Sequence, residues 1–210
     1  MRRLTMLALW ALLTLGVAPF VGGAARPVAA GERTCFNETG FCAENAFLDF
    51  WRSHGSTEIL GLPVTQPFVD DRGLIVQYYE RAIMEFHPEN GPEYQVLLTL
   101  LGDTRLGDHP ERVAPPVSCP GSCNTFAETN HTLRGTFLSY WMTNGGLAVF
   151  GFPLTEEFQE VNPSNGEVYT VQYFERSRFE HHPANKAPYN VLLGHLGRQL
   201  LDLRGAFPAR

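Results

Sequence analysis

The sequence predicts an α+β protein made of two homologous repeats, and three observations carry that prediction. The chain aligns with itself: residues 36–68 match 126–158 at an offset of 90, and 75–102 match 170–197 at an offset of 95, with 26 of 61 positions identical. Each copy opens on a helical apolar pattern and continues into β-branched and aromatic residues. Turn signals punctuate both segments at the same places. Each repeat therefore reads as helix, Gly-x-Pro turn, β-hairpin or short antiparallel sheet, and closing helix.

Residues 1–30 read as a secretory signal peptide. Arg2 and Arg3 precede an apolar stretch from Leu4 to Val17, which Pro19, Gly22 and Gly23 break before the small residues Val28-Ala29-Ala30. The stretch is short for a bilayer, so no membrane span is expected after cleavage, and the product is expected to be secreted or held at an extracytoplasmic surface. The chain carries a formal net charge of −6 and a single lysine, Lys186. Removing residues 1–30 takes away arginines and no acid, so the product is more acidic still. Nucleic acid is excluded as a bulk electrostatic partner, because neutralising phosphates takes clustered basic residues.

Four cysteines in an exported chain are expected to pair. Three connectivities are possible; Cys35 with Cys42 and Cys119 with Cys123 is the expected one, since each bond closes a small loop at the start of a repeat. The C-x2-C spacing of zinc sites is absent, and neither a metal nor a cofactor is expected.

Repeat 1 spans 31–106. Ala43, Phe47, Leu48, Phe50 and Trp51 form one broad apolar helical face, and Gly55 follows as a stop. Gly61-x-Pro63 fixes a sharp turn. Asp71-Arg72-Gly73 marks a hairpin tip, and the residues from Leu74 to His87 form strands, divided near Arg81-Ala82. Tyr94 to Leu101 reads as the closing helix, stopped by Gly102. A Pro-rich linker covers 107–118. Repeat 2 spans 119–205 with the same order, an Asn165-Gly166 hairpin tip and a five-residue insertion beside it; a tail covers 206–210.

The pattern Gly-Leu-Ala-Val-Phe-Gly-Phe-Pro-Leu-Thr at 146–155, followed by a Gly-bearing turn, Val171-Gln172-Tyr173-Phe174 and the segment from Phe179 to Pro183, resembles the LGFP repeat of secreted actinobacterial cell-envelope proteins. The Gln-Tyr-Phe-Glu-Arg core is also similar to a longer repeat of exported bacterial proteins. The resemblance implies a non-catalytic extracytoplasmic module that associates with cell-wall glycan or peptidoglycan. The family's Gly-Gly after the aromatic strand is replaced here by Glu80-Arg81 and Glu175-Arg176.

Three constellations recur in both repeats. Glu85-x-His87 and Glu180-x-His182 would place a carboxylate and an imidazole on one strand face, a spacing usable for a metal or for acid/base work; with only two such groups per repeat they are assigned to ligand binding, beside the alternative of a hydrogen-bonded pair that ends the strand. Glu80-Arg81 and Glu175-Arg176 read as a structural polar network; adjacent strand residues point to opposite faces, so each side chain anchors separately rather than forming a mutual ion pair. Among the aromatics, Tyr79, Tyr94, Phe174 and Tyr189 are candidates for a sugar-stacking surface, and Trp51, Tyr78, Trp141 and Tyr173 are assigned to the core. No catalytic elbow, phosphate loop, dinucleotide fingerprint or metalloprotease motif is present, and the chain is read as a non-enzyme. Two alternatives stand beside the binding module. One is a secreted cell-wall hydrolase with a site between the repeats, using carboxylates such as Glu156, Glu157 or Glu160. The other is a protein-interaction scaffold, which would show an exposed apolar patch.

Overall fold

Three features organise the chain: two hairpins cross-linked or flanked by disulfides, two four-stranded antiparallel sheets, and two helices that cross between them. The computed structural model describes residues 31–114 and 118–205. The signal-peptide reading of 1–30, part of the linker and the tail lie outside the described residues.

The first half begins with a hairpin, β1 (Arg33–Phe36) and β2 (Phe41–Glu44), whose directly opposed Cys35 and Cys42 are bonded. There follow α1 (Asn45–Ser53), α2 (Ser56–Ile59), β3 (Phe68–Val69), β4 (Ile75–Tyr78), β5 (Ile83–Phe86), a 3-10 turn at Pro92–Tyr94, β6 (Val96–Leu98) and α3 (Leu101–Leu106). The second half gives β7 (Cys123–Phe126), β8 (His131–Arg134), α4 (Gly135–Thr143), α5 (Gly146–Phe150), β9 (Phe158–Val161), β10 (Val168–Tyr173), β11 (Arg178–His181), β12 (Val191–Leu193) and α6 (Leu196–Leu203). Cys119 and Cys123 are bonded at its start. The sheets run β3-β4-β5-β6 and β9-β10-β11-β12. Among the described residues, no helix is long and apolar enough to cross a membrane, and the two disulfides are compatible with an oxidising, extracellular compartment.

The same side chains hold both halves. Phe47 and Leu48 of α1, like Phe137 and Leu138 of α4, are buried, and the tryptophan one turn later pins each helix to the Gly-x-Pro turn. Trp51 Nε1 donates to the Gly61 carbonyl at 2.8 Å and Trp141 Nε1 to Gly151 at 3.1 Å. Gly61 has φ +79°, and a Cβ there would sit 2.6 Å from Glu80 Cβ, so no other residue fits. At three further positions a left-handed backbone occurs in both halves while glycine occurs in one: Gly40 with Asn130, Asn45 with Gly135, Ser56 with Gly146. Gln77 and Gln172, both fully buried, tie strand to turn by donating to the Thr65 and Thr155 carbonyls at 2.9 and 2.8 Å.

The closing elements depart from the sequence expectation. The segment expected as a helix from Tyr94 to Leu101 is largely a 3-10 turn and the edge strand β6, and Gly102 lies in the first turn of α3 instead of stopping a helix. The run Val96-Leu97-Leu98 is as apolar as a helix face, but its backbone completes the β5 ladder. Gly102 is small for a different reason. Its amide donates to the Glu175 carbonyl of the other half at 3.0 Å, and a Cβ there would lie 1.7 Å from the Phe174 carbonyl oxygen.

That contact is reciprocated. The Arg198 amide donates to the Glu80 carbonyl at 3.1 Å, and a Cβ on Gly197 would lie 2.1 Å from the Tyr79 carbonyl oxygen. Leu106 of α3 buries itself with Leu154, Val171 and Tyr173 of the second half, while Leu201 of α6 packs with Val64, Val76 and Tyr78 of the first. A further apolar cluster runs through both halves, from Phe47 and Met84 to Phe137 and Phe179. The linker is also occupied: the His109 ring lies 5.5 Å from that of Phe158, and buried His131 donates from Nε2 to the Arg112 carbonyl at 3.0 Å.

Candidate functional site

The recurrent Glu-x-His pairs lie at the ends of β5 and β11, each followed by a turn. His87 Nε2 sits 3.3 Å from Glu85 Oε2, and His182 Nε2 sits 3.3 Å from Glu180 Oε2. Asn90 and Asn185 shape the turns, each donating to the carbonyl of the following tyrosine, Tyr94 or Tyr189, at 3.0 Å. Both tyrosines are more than half exposed.

The two carboxylates are neutralised differently. Glu85 accepts from Arg72, on the β3–β4 hairpin tip, at 2.8 Å and from Thr99 at 2.7 Å. Burial pushes the Glu85 carboxyl up, but the hydrogen bonds from Arg72, Thr99 and His87 outweigh it and hold it below the ordinary carboxylate value. Glu180 instead accepts from Asn162 at 2.8 Å and from the fully buried Arg178, whose Nε is 3.1 Å away. Arg178 Nη1 also meets Glu160 at 3.2 Å and the Tyr173 hydroxyl at 3.3 Å. The positions of Arg178 and Gly194 correspond to Ile83 and Thr99. A side chain on Gly194 would lie 2.8 Å from Arg178 and from Glu180 Oε1, so the buried arginine displaces the hydroxyl used in the first half.

His87 also meets Glu89, with Nδ1 2.9 Å from Oε1; that contact, with Glu85, raises the imidazole above its ordinary value against the effect of burial. A raised folded value means the interaction stabilises fully below about pH 6.5 and is lost as pH rises through the raised value. In an NMR titration His87 is expected to titrate above 6.5, and Glu89→Gln is expected to bring it down.

Two of the sequence-assigned candidates take other places. Tyr79 and Phe174 are fully buried, and Tyr79 donates its hydroxyl to Gln77 at 2.9 Å; they belong to the core, because each follows the last ladder residue of its strand and turns inward opposite Pro63 or Pro153. Glu80 and Glu175 accept from the Leu62 and Phe152 amides at 3.1 Å, fastening the Gly-x-Pro turns, while Arg81 donates to the Thr57 carbonyl at 2.6 Å. Arg176 donates to the Leu147 carbonyl at 3.3 Å and also approaches Glu175 to 3.7 Å, an ion pair in addition to the separate anchors expected.

In the second half, an open cleft of about 460 Å³ runs along the end of the sheet. Gln159, Tyr169, Thr170, His181, His182 and Asn185 line it, and the Tyr169 ring lies over His182 with centroids 4.0 Å apart. Of these only His182 was singled out from the sequence. Thr170 and His181 fall where the two halves of the sequence differ, and Gln159 and Tyr169 lie just outside the aligned segments, so a comparison of identical positions passes over them. Among the described residues no group of three or more His, Cys, Asp or Glu could hold a metal ion. No known family model matches the chain, and neither does any curated protein.

Proposed function

We propose that this is an exported, non-catalytic protein built from two copies of one unit, which binds envelope polysaccharide through the cleft of the second copy. The single observation that carries this reading is the lining of that cleft. The paired rings of Tyr169 and His182 offer an outer face to the apolar side of a sugar, and Gln159, Thr170 and Asn185 offer planar amides and a hydroxyl to its polar rim. The resemblance to LGFP repeats points the same way. The duplication is supported by the shared order of elements, the shared left-handed positions and the 26 identities.

A hydrolase is less well supported. Glycoside hydrolysis needs two carboxyl groups about 5 to 10 Å apart and free to act on the substrate. Of the carboxylates named for it, Glu160 is instead engaged with Arg178 and Tyr173, Glu156 accepts from the Thr132 amide at 2.7 Å, and Glu157 lies 3.6 Å from Arg134. The scaffold reading draws on one feature, the exposed Val69 and Ile75 on the first sheet.

The test is retention of the purified exported chain on insoluble peptidoglycan and envelope polysaccharide. Wild type is expected to be retained, and Tyr169→Ala to lower retention about tenfold, as loss of a ring-stacking contact of about 1.4 kcal/mol implies. Tyr189→Ala asks whether the neighbouring turn contributes. Failure of both materials to retain the wild type would end the glycan reading.

A further inference from the structure

Directly opposed residues of an antiparallel sheet share a face. In the second sheet one such row is Gln159, Thr170 and His181, on three successive strands. The equivalent row of the first sheet is Val69, Ile75 and Phe86. The correspondence is one to one by sheet register and by extending the first aligned segment one residue, so an apolar row in one half is replaced by an amide, a hydroxyl and an imidazole in the other. Gln159 Nε2 donates to Thr170 Oγ1 at 2.6 Å, which orients the amide within the row.

His181 does more than end the row. It lines the cleft already described and also a second one, of about 420 Å³, bounded by Ser122, Arg134, Thr136, Phe137 and Glu157 near the start of α4. Three strands span two interstrand spacings, about 10 Å, and the second cleft lengthens that path beyond what one sugar ring covers. Arg134 and Glu157 lie 3.6 Å apart there, half-exposed, offering a donor and an acceptor at the far end. The lining is mixed and the chain acidic, which fits a hydroxyl-rich ligand and not a polyanion.

We infer that the second half alone binds a linear oligosaccharide segment, laid across the row so that His181 is shared between two consecutive sugar positions, while the first half takes no part. This rests on the glycan reading above. The experiment competes retention of the full exported chain on the insoluble polysaccharide with soluble fragments of that material, one to six sugars long. Fragments of four or more sugars are expected to compete at concentrations at least tenfold below those of one or two. His181→Ala is expected to abolish that advantage of length, His181→Gln to restore part of it, and Ile75→Ala to leave it intact. A length advantage that survives His181→Ala, or that Ile75→Ala removes equally, overturns this inference while leaving the binding module standing. A wild-type chain that is not retained overturns both.

Discussion

Replacing Arg178 by isoleucine should lower the free energy of unfolding by about 3 to 5 kcal/mol, the usual consequence of removing one member of a buried ion pair. The guanidinium is fully buried, Glu180 nearly so, and Glu160 and Tyr173 share its remaining donors. The loss comes chiefly from leaving Glu180 without its counter-charge, which the first half shows how to avoid. There, isoleucine occupies the strand position, Thr99 supplies a hydroxyl and Arg72 reaches in from the hairpin tip. The triple change Asn162→Arg, Arg178→Ile, Gly194→Thr transplants that arrangement. It should recover more than half of the loss in a urea titration, whereas Gly194→Thr alone should destabilise, because its side chain meets Arg178. A triple variant no more stable than Arg178→Ile would show that the two networks are not interchangeable.

Gly102→Ala should destabilise by about 1 to 3 kcal/mol, the range for overpacking a well-filled site, and toward its upper end. The obstacle is backbone: the added carbon would lie 1.7 Å from the Phe174 carbonyl oxygen, and a main-chain carbonyl cannot swing aside as a side-chain tip can. Gly197→Ala, against the Tyr79 carbonyl at 2.1 Å, should behave alike. Both changes should lower the denaturation midpoint. An alanine tolerated at either position without a shift would mean that the crossing helix seats less closely than described.

How much of this was legible in the sequence depended on whether a residue's reason lay within its own segment. The α1 face, the Gly-x-Pro turns and the hairpin tips were readable because the apolar period and the turn chemistry are local. The cysteine bonds were readable because each pair is close in sequence. Val96-Leu97-Leu98 was misread as helical because a short apolar run does not distinguish a buried strand from a helix. Gly102 looked like a helix stop since its real neighbour, the Phe174 carbonyl, is remote in sequence. The cleft was harder for another reason. Identity between the two aligned halves of the sequence marks residues that hold the same contacts in both, such as Glu80, Gln77 and Trp51, whereas Thr170 and His181 stand where the halves differ and Gln159 lies just outside the aligned segments. Arg178 belongs with them: nothing in its own strand announces that Gly194, far along the chain, makes room for it.

The crossing of α3 and α6 changes the order of the reaction by which the halves meet. Each sheet is covered partly by a helix whose own strand lies in the opposite sheet, so the two associate as tethered neighbours and their union does not weaken on dilution. The clasp therefore holds at any abundance of the protein.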